Sequence, residues 1–215
     1  MADSVTISSL ATAGGTLVLA VATFSSVRSA NRSARVAEQS LLVGLRPVLI
    51  PSREEDPVER IRFGDGVFVG VPGHGGAVVE HNGAVYLAIG VRNGGSGLAV
   101  LHGWRARRRE ESNEVPDVEE FRRQQLDIYI PAGDNGFWQG ALRDPTEAGY
   151  AEVREALDAD ESIQIDLLYG DHEGGQRTIA RLILSAWPPD GDEPIPDTQR
   201  ATLLRYFNVD RQNPR

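Results

Sequence analysis

Residues 85–92 read VYLAIGVR, and this stretch decides the fold because bulky aliphatic side chains recur at every second position. Val85, Leu87, Ile89 and Val91 alternate with smaller, aromatic or charged residues. A period of two is typical of a β-strand with one buried face. The glycine-rich run at 93–97 follows and predicts a turn.

Similar short runs lie on both sides of this strand. We predict them at 48–50, 67–71, 77–80, 98–104, 126–130, 135–142, 162–169 and 177–187. Roughly eight or nine short strands, many separated by glycine-rich turns, predict a mainly β fold. The first choice is an Ig-like antiparallel β-sandwich, and the second choice is an open barrel.

Two short peripheral helices are expected beside the strands. Asp144, followed by proline and then by Glu147, predicts the N-cap of a helix over 148–157. Asp197 predicts the cap of a C-terminal helix through Ala201, Leu204 and Phe207, after a proline-rich linker that begins at 188. The predicted domains are therefore an anchor and stalk at 1–44, a β-sandwich at 45–187, and a linker with a C-terminal helix or tail at 188–215.

The N-terminal segment is the clearest sign of cellular location. Residues 5–27 contain no charged side chain, and Arg28, Arg32 and Arg35 follow directly. A span of about 20 mostly apolar residues crosses a bilayer as a helix, so we expect residues 5–27 to contact the lipid bilayer. A cleaved signal peptide and a soluble or surface-lying helix are the alternatives.

Charge asymmetry sets the expected topology. The short tail before residue 5 carries only Asp3, whereas three arginines flank the other end of the segment. The positive-inside rule then predicts a single-pass protein of the cell membrane with a cytoplasmic C-terminal domain. Ala11 and Gly15 have the small-residue spacing that lets two helices approach, so a homo-oligomer through this helix is one hypothesis. A low-complexity span explains the same residues and is the preferred interpretation of so short a pattern.

Composition excludes several classes of function. The formal net charge is −9, and an acidic domain repels nucleic-acid phosphate, so no nucleic acid is expected as a partner. Cysteine is absent, which excludes disulfides and thiolate metal sites. All 22 basic residues are arginine, a composition typical of a high-GC genome.

Histidine clusters give no catalytic or metal-ligating prediction. Asp171, His172 and Glu173 form the tightest titratable cluster with a histidine, but they fall between two predicted strands, where a polar turn is expected. His102 lies two positions before Trp104 on a predicted apolar face, and we interpret it as a hydrogen-bonded core histidine. No catalytic, cofactor-binding or metal-binding residue, and no cofactor, is predicted.

Other patterns also favour structural interpretations. The glycine-rich run at 93–97 is not a P-loop, since no lysine and no helix follow it. Arg105, Arg107 and Arg109 alternate on one strand face, with Arg108 on the other. We interpret the row as cross-strand pairing with carboxylates, and contact with anionic lipid is the alternative. We expect the tryptophans to fill the core; they are Trp104, Trp138 and Trp187.

Four runs carry a family resemblance: LRPVLIP at 45–51, VRNGGSGLAV at 91–100, EGGQRT at 173–178 and FNVDR at 207–211. Together with the weak anchor, they resemble single-span membrane-anchored proteins of high-GC actinobacteria, a group with no assigned activity. The resemblance covers most of the chain and implies an anchored sandwich domain in a Gram-positive cell. Its motifs are turn and strand signatures, so it implies no catalytic residue.

Two functional hypotheses follow. The first is a membrane-tethered, non-enzymatic interaction module that binds a protein partner through its loops or through an edge strand. The second is an enzyme whose site is assembled from residues distant in sequence. A pocket with convergent carboxylates or histidines of shifted pKa would favour the enzyme.

Overall fold

The computed structural model describes residues 2–188 and 196–210, with the side chains of 2–14, 39, 42 and 43 outside the description. The chain divides into two compact units, Met1–Gly44 and Leu45–Arg215. Most of the predicted proline-rich linker lies outside the described residues.

The first unit is one helix, α1, over Ala2–Gly44. Its side chains are exposed wherever the structure describes them. Within the described residues, no helix combines the length and the apolar character that a bilayer crossing requires. The transmembrane interpretation of residues 5–27 is therefore not confirmed.

The second unit is mainly β, as predicted. Its strands are β1 (Leu49–Pro51), β2 (Glu59–Arg62), β3 (Phe68–Val71), β4 (Gly75–His81), β5 (Ala84–Asn93), β6 (Ala99–Arg108), β7 (Arg122–Ile130), β8 (Asn135–Leu142), β9 (Ile163–Gly170), β10 (Thr178–Ser185) and β11 (Thr198–Asn208). A helix, α2, covers Tyr150–Asp158, and a single 3₁₀ turn covers Val118–Glu120. Nine of these strands match predicted runs, whereas β2 and β11 were not predicted.

Every pair among the described strands is antiparallel, which confirms the antiparallel part of the prediction. The described strands do not divide into the two facing sheets of an Ig-like sandwich. Nine belong to one sheet with the path β8-β5-β4-β11-β10-β9-β6-β7, and β1 pairs with the last residues of β5. The remaining two, β2 and β3, form a separate hairpin. The large sheet curls, so its two end strands face each other as in the open-barrel alternative.

The strand β5 is buried on both faces, rather than on one as the sequence predicts. Val85 and Leu87 point into the main core inside the curled sheet, to which α2 adds Val153. Tyr86 and Ala88 point the other way, into a second core beneath the β2–β3 hairpin. The hairpin therefore removes from water a face that the period of two predicts to be exposed.

The predicted C-terminal helix is wrong, because Thr198–Asn208 is a strand. This strand, β11, lies between β4 and β10 and pairs with both. The register shifts between Arg181 and Leu182 of β10, which leaves Leu204 of β11 as a bulged residue. Ala201 therefore faces the main core, whereas Phe207 faces a third core and Leu204 is 51% exposed, so the helix-like spacing of these three residues marks no common buried face.

The first short helix begins later than predicted. Gly149, in the left-handed region, precedes α2, whereas Asp144 accepts a hydrogen bond from the backbone of Thr146 over 2.8 Å in a preceding turn. Glu147 accepts from the backbone of Arg143 over 3.0 Å. The predicted capping residues are thus used one turn before the helix.

Candidate functional site

The site begins with two consecutive strands that do not pair with each other. The short turn at 131–134 joins β7 to β8, an arrangement that normally makes a hairpin. Among the described residues, however, β7 forms a ladder only with β6, and β8 only with β5. One edge of each strand therefore faces the other without a ladder, and we call the space between them the seam.

A side chain crosses the seam instead of a backbone ladder. The amide nitrogen of Gln124 on β7 donates to the main-chain oxygen of Gln139 on β8 over 3.3 Å. Adjacent strands in a ladder lie about 4.8 Å apart, and a glutamine side chain does not fit between main chains at that distance. The two strands are thus separated by more than one ladder spacing at this point.

Two tryptophans form the floor beside the seam. The rings of Trp104 and Trp138 meet edge to face with their centroids 5.3 Å apart. Gly140 on β8 lies against both indoles, and a Cβ there would approach Trp104 to 2.9 Å. Glycine at this position lets β8 pass over the rings. Both tryptophans are buried in the main core, which confirms the core prediction for them.

The seam opens into a cavity of about 460 Å³. Such a volume is in the range of ligand-binding pockets. The lining comes from β7, β8, Trp104 and the β2–β3 loop; it comprises Phe63, Gly64, Asp65, Trp104, Arg122, Arg123, Gln124, Gln125, Leu126, Gln139, Gly140, Ala141 and Arg143. Three arginines and one carboxylate make the cavity basic within an acidic protein.

Two of these arginines are held in place by carboxylates. Arg122 binds Glu147 over 2.6 Å, and its guanidinium lies 4.9 Å from the centroid of the Trp104 ring. Arg143 binds Asp65 over 2.9 Å. The hydrogen bond from Arg122 lowers the pKa of Glu147.

The carboxylate of Asp65 also remains ionised. Burial opposes its ionisation, but hydrogen bonds from Tyr86 and Arg143 outweigh burial and hold its pKa below the usual value. The Tyr86 hydroxyl donates over 2.8 Å. Asp65 is the only carboxylate in the described lining, and it is engaged in these bonds. The enzyme alternative stays a prediction.

Other polar groups in the seam lack partners. The side-chain oxygens of Gln124 and Gln139 are buried and accept no hydrogen bond from the described residues. Arg123 is exposed and forms no ion pair with the described carboxylates. The seam therefore offers two acceptors and one cation to a molecule that enters it.

The seam could not be predicted from the sequence. Residues 122–125 read RRQQ, which lacks the hydrophobic alternation that marked other strands. The separation of β7 from β8 depends on pairing with distant strands, which local spacing does not encode. The two consecutive glutamines are the one local irregularity, because amide side chains interrupt the apolar alternation that is typical of a strand.

The tip between β9 and β10 is a turn, as predicted. Asp171 is only 8% exposed, and its carboxylate accepts from the backbone of Glu173 over 3.1 Å and of Gly175 over 2.8 Å. The His172 side chain is 62% exposed and lies 4.0 Å from the carboxylate of Glu173. No group of three or more acidic or histidine residues in the described chain is arranged to hold a metal ion.

His102 lies elsewhere than predicted. The register of β6 shifts between Leu101 and Gly103 against both neighbours, so His102 is the bulged residue. Leu101 and Trp104 consequently point into the main core, while His102 is half-buried outside it. Its Nε2 has no hydrogen-bond partner among the described residues, and burial lowers its pKa. The predicted hydrogen-bonded core position is wrong.

The glycine-rich loop at 93–97 binds the protein's own main chain. Asn93 is fully buried, and its side-chain oxygen accepts from the backbone of Val48 over 3.1 Å and of Gly95 over 2.9 Å. Its amide nitrogen donates to the main-chain oxygens of Gly97 over 2.6 Å and Ile130 over 3.0 Å. All four hydrogen-bonding positions of the amide are used inside the fold.

The arginine row on β6 pairs with carboxylates. Arg105 contacts Glu120 and bonds to Asp166, its cross-strand neighbour on β9, over 2.6 Å. Arg107 binds Glu110 over 3.2 Å. Two further pairs extend the pattern, namely Arg108 with Glu161 and Arg181 with Asp166. The cross-strand interpretation holds for Arg105. Arg107 instead pairs with a glutamate three residues later in the chain, and Arg108 pairs with a glutamate just before β9.

Trp187 departs from the core prediction. It is partly exposed, and its indole nitrogen donates to the hydroxyl of Thr198 over 3.1 Å. This bond links the end of β10 to the start of β11. Trp187 thus joins two strands at the surface.

The described residues of the four runs that carry the family resemblance contact one another, and β1 of the first run pairs with the end of β5 in the second. Arg46 donates to Thr178 over 3.1 Å and contacts Asn208, while Arg177 binds Asp210 over 2.7 Å. These contacts join segments of the fold at one end of the sheet. No protein-family model, curated protein or solved structure matches this chain.

Proposed function

We propose that this chain is a membrane-tethered, non-enzymatic interaction module whose protein partner binds in the seam between β7 and β8. The observation that carries the proposal is the pair of facing strand edges without a shared ladder. Main-chain groups on a strand edge are ready to pair with another chain. Recognition by strand addition uses those groups for affinity and adjoining pockets for specificity.

The geometry of the seam favours an extended chain. A side-chain bridge rather than a ladder connects Gln124 to Gln139. One inserted strand needs two ladder spacings, about 9.6 Å, between the flanking main chains. Because β7 and β8 are antiparallel to each other, the inserted segment would run parallel to one of them and antiparallel to the other.

The tether rests on the N-terminal sequence. Residues 5–27 lack charge, and Arg28, Arg32 and Arg35 follow. This pattern supports attachment to the cell membrane with the Leu45–Arg215 unit in the cytoplasm. A reporter that works only in the cytoplasm should therefore be active when it is fused after Arg215. Activity of a reporter that requires export would favour the signal-peptide alternative.

Three further sequence features support the proposed location, self-association and class of partner. The resemblance to single-span proteins of high-GC actinobacteria supports a Gram-positive membrane as the location. Ala11 and Gly15 support self-association through the N-terminal helix. The net charge of −9 supports a protein rather than a nucleic acid as the partner.

Photocrosslinking tests the seam directly. A photoreactive amino acid replaces Leu126, which lines the seam, or Leu204, which is comparably exposed on β11. The full chain is expressed in its own host and irradiated. We expect one discrete adduct from position 126 and none from position 204.

A closure experiment shows whether the adduct depends on the open seam. The chain contains no cysteine, so the double variant Gln124→Cys/Gln139→Cys is bridged selectively by a short bismaleimide. Bridging should abolish the adduct. The control Arg108→Cys/Glu161→Cys, bridged across an exposed ion pair outside the seam, should retain it. Equal adducts from both positions, or an adduct that survives closure of the seam, would contradict the proposal.

A further inference from the structure

We infer that the seam selects an extended peptide segment that carries an acidic side chain. This inference rests on the proposed function, because it specifies the chemistry of the partner at the same site. It goes further by assigning separate roles to the glutamines and the arginines of the lining.

The two glutamines of the seam favour a ligand that donates hydrogen bonds. The side-chain oxygens of Gln124 and Gln139 are buried without a hydrogen-bond partner among the described residues. A buried acceptor without a donor costs free energy, and a molecule that brings N–H groups removes that cost. A peptide main chain carries one N–H at nearly every residue. A small anion such as phosphate brings mainly acceptors, so it would meet these oxygens unfavourably.

The arginines select for a single negative charge. Arg122 is bound by Glu147 over 2.6 Å, and Arg143 by Asp65 over 2.9 Å. Arg123 is the lining cation that forms no ion pair within the described chain. One free guanidinium matches one carboxylate, with which it can form a bidentate pair.

The remaining lining accommodates apolar side chains. The Trp104 ring lies beneath the Arg122 guanidinium and forms part of the floor of the cavity. Leu126 is 61% exposed at the end of the cavity. The cavity follows residues 122–126 along β7, about 17 Å at roughly 3.4 Å per residue. A segment of about five to seven residues therefore spans it, with alternate side chains directed to the two faces.

Three labelled heptapeptides test the inference on the full chain in detergent. Their sequences are TVTDTVT, TVTKTVT, and TVTDTVT with N-methyl groups on alternate residues. Binding is measured by fluorescence anisotropy. We expect the aspartate peptide to bind about tenfold more tightly than the lysine peptide, because one charge contact changes from attraction to repulsion. N-methylation should abolish binding, since it blocks main-chain pairing and leaves the side chains unchanged.

Matched variants assign the charge preference to one residue. Arg123→Gln should reduce the ratio between aspartate and lysine peptides to about one, whereas Arg109→Gln, outside the seam, should leave it unchanged. Competition by millimolar inorganic phosphate would instead identify a small-anion pocket and overturn the inference.

The outcomes separate this inference from the proposed function. Equal binding of both charged peptides, lost on N-methylation, overturns the charge preference and leaves the strand-accepting seam intact. Binding that survives N-methylation, or no binding by any peptide, overturns the inference itself. Loss of the seam-specific photocrosslink overturns the proposed function whatever the peptides do.

Discussion

The hydroxyl of Tyr206 donates a hydrogen bond of 2.6 Å to the main-chain oxygen of Leu49, so β11 holds the residue with which the sheet begins. The hydroxyl of Tyr169 accepts from the main-chain nitrogen of the same Leu49 over 3.4 Å. Burial raises the pKa of both phenols, that of Tyr169 to about 12. Two tyrosines from different strands thus satisfy both polar groups of one buried peptide residue.

The domain should lose stability above pH 10 as these tyrosines ionise. Their folded pKa values are higher than the ordinary value of 10, so the stabilisation is complete below pH 10 and is lost as pH rises through the folded pKa values, about 12 for Tyr169. The chain has no lysine, which leaves tyrosine as the side chain that titrates in this range. Denaturant unfolding between pH 8 and 12, followed with tyrosinate absorbance, measures the effect.

The variant Tyr206→Phe provides the control for this pH dependence. It should be less stable at pH 8 by about 1 kcal/mol, the value of a typical hydrogen bond, and its stability should fall less steeply above pH 10. Tyr129→Phe, at a 55% exposed position, should change neither quantity. An unchanged slope in Tyr206→Phe would show that the decline has another origin.

Substitution of Gly97 by alanine should destabilise the domain strongly. A Cβ at Gly97 would overlap the main-chain oxygen of Leu45, whereas a Cβ at Gly64 would meet nothing within 4 Å. We expect Gly97→Ala to lower the free energy of unfolding by more than ~2 kcal/mol, and Gly64→Ala to stay within ~0.5 kcal/mol. Thermal unfolding of the two variants measures the difference. Comparable melting temperatures would indicate that the loop can move away from Leu45.

Removal of the Asp166 charge should leave a buried cation without its partner. Asp166 and Arg181 are each 1% exposed, and the carboxylate accepts from Arg181 Nε over 2.8 Å. We expect Asp166→Asn to cost about 3–5 kcal/mol. Glu161→Gln removes an exposed partner of Arg108 and should cost less than ~1 kcal/mol. Urea unfolding tests both; similar losses would mean that Arg181 finds another partner.

The turn at 171–173 should depend on its aspartate and not on its histidine. Asp171 also accepts from the side chain of Gln176 over 3.2 Å, in addition to its two backbone donors. Asp171→Ala should cost about 1–3 kcal/mol. The double variant His172→Asn/Glu173→Gly should stay within ~0.5 kcal/mol. A rise of several degrees in melting temperature with zinc, seen in the wild type and lost in the double variant, would reveal metal binding.

The Leu45–Arg215 unit should fold without α1. Its three hydrophobic cores contain no described residue before Leu49. The isolated unit should therefore be soluble, monomeric and rich in β-structure by circular dichroism. A mostly helical spectrum, or a requirement for detergent, would contradict this expectation.

The strands were largely predictable because most keep a strict period of two. The bounds of β8 agree with the predicted run at 135–142. Two of the errors fall at bulges, since His102 in β6 and Leu204 in β11 are both bulged residues. A bulge inserts one residue, moves every later side chain to the opposite face, and has no signature in a single sequence.

The candidate site was less predictable than the fold. Strand addition at a sheet edge was an expectation from the sequence, but the sequence does not indicate which edge is open. Gln124 and Gln139 become neighbours because β7 pairs with β6 and β8 pairs with β5. That pairing depends on distant strands, and local composition around Gln124 does not record it.

The position of β11 affects how the protein is made. This strand pairs with β4, whose residue Ala77 lies opposite Thr198, and with β10 on its other side. The ribosome synthesises β11 after β4 and β10, so the facing edges of those two strands stay unpaired until Thr198–Asn208 has been made. A chain that ends or is cleaved before Thr198 would leave β4 and β10 as unpaired edge strands, which are sites of aggregation. Pairing of β11 is therefore a late step in the folding of this domain, and cellular quality control can act on chains that have not completed it.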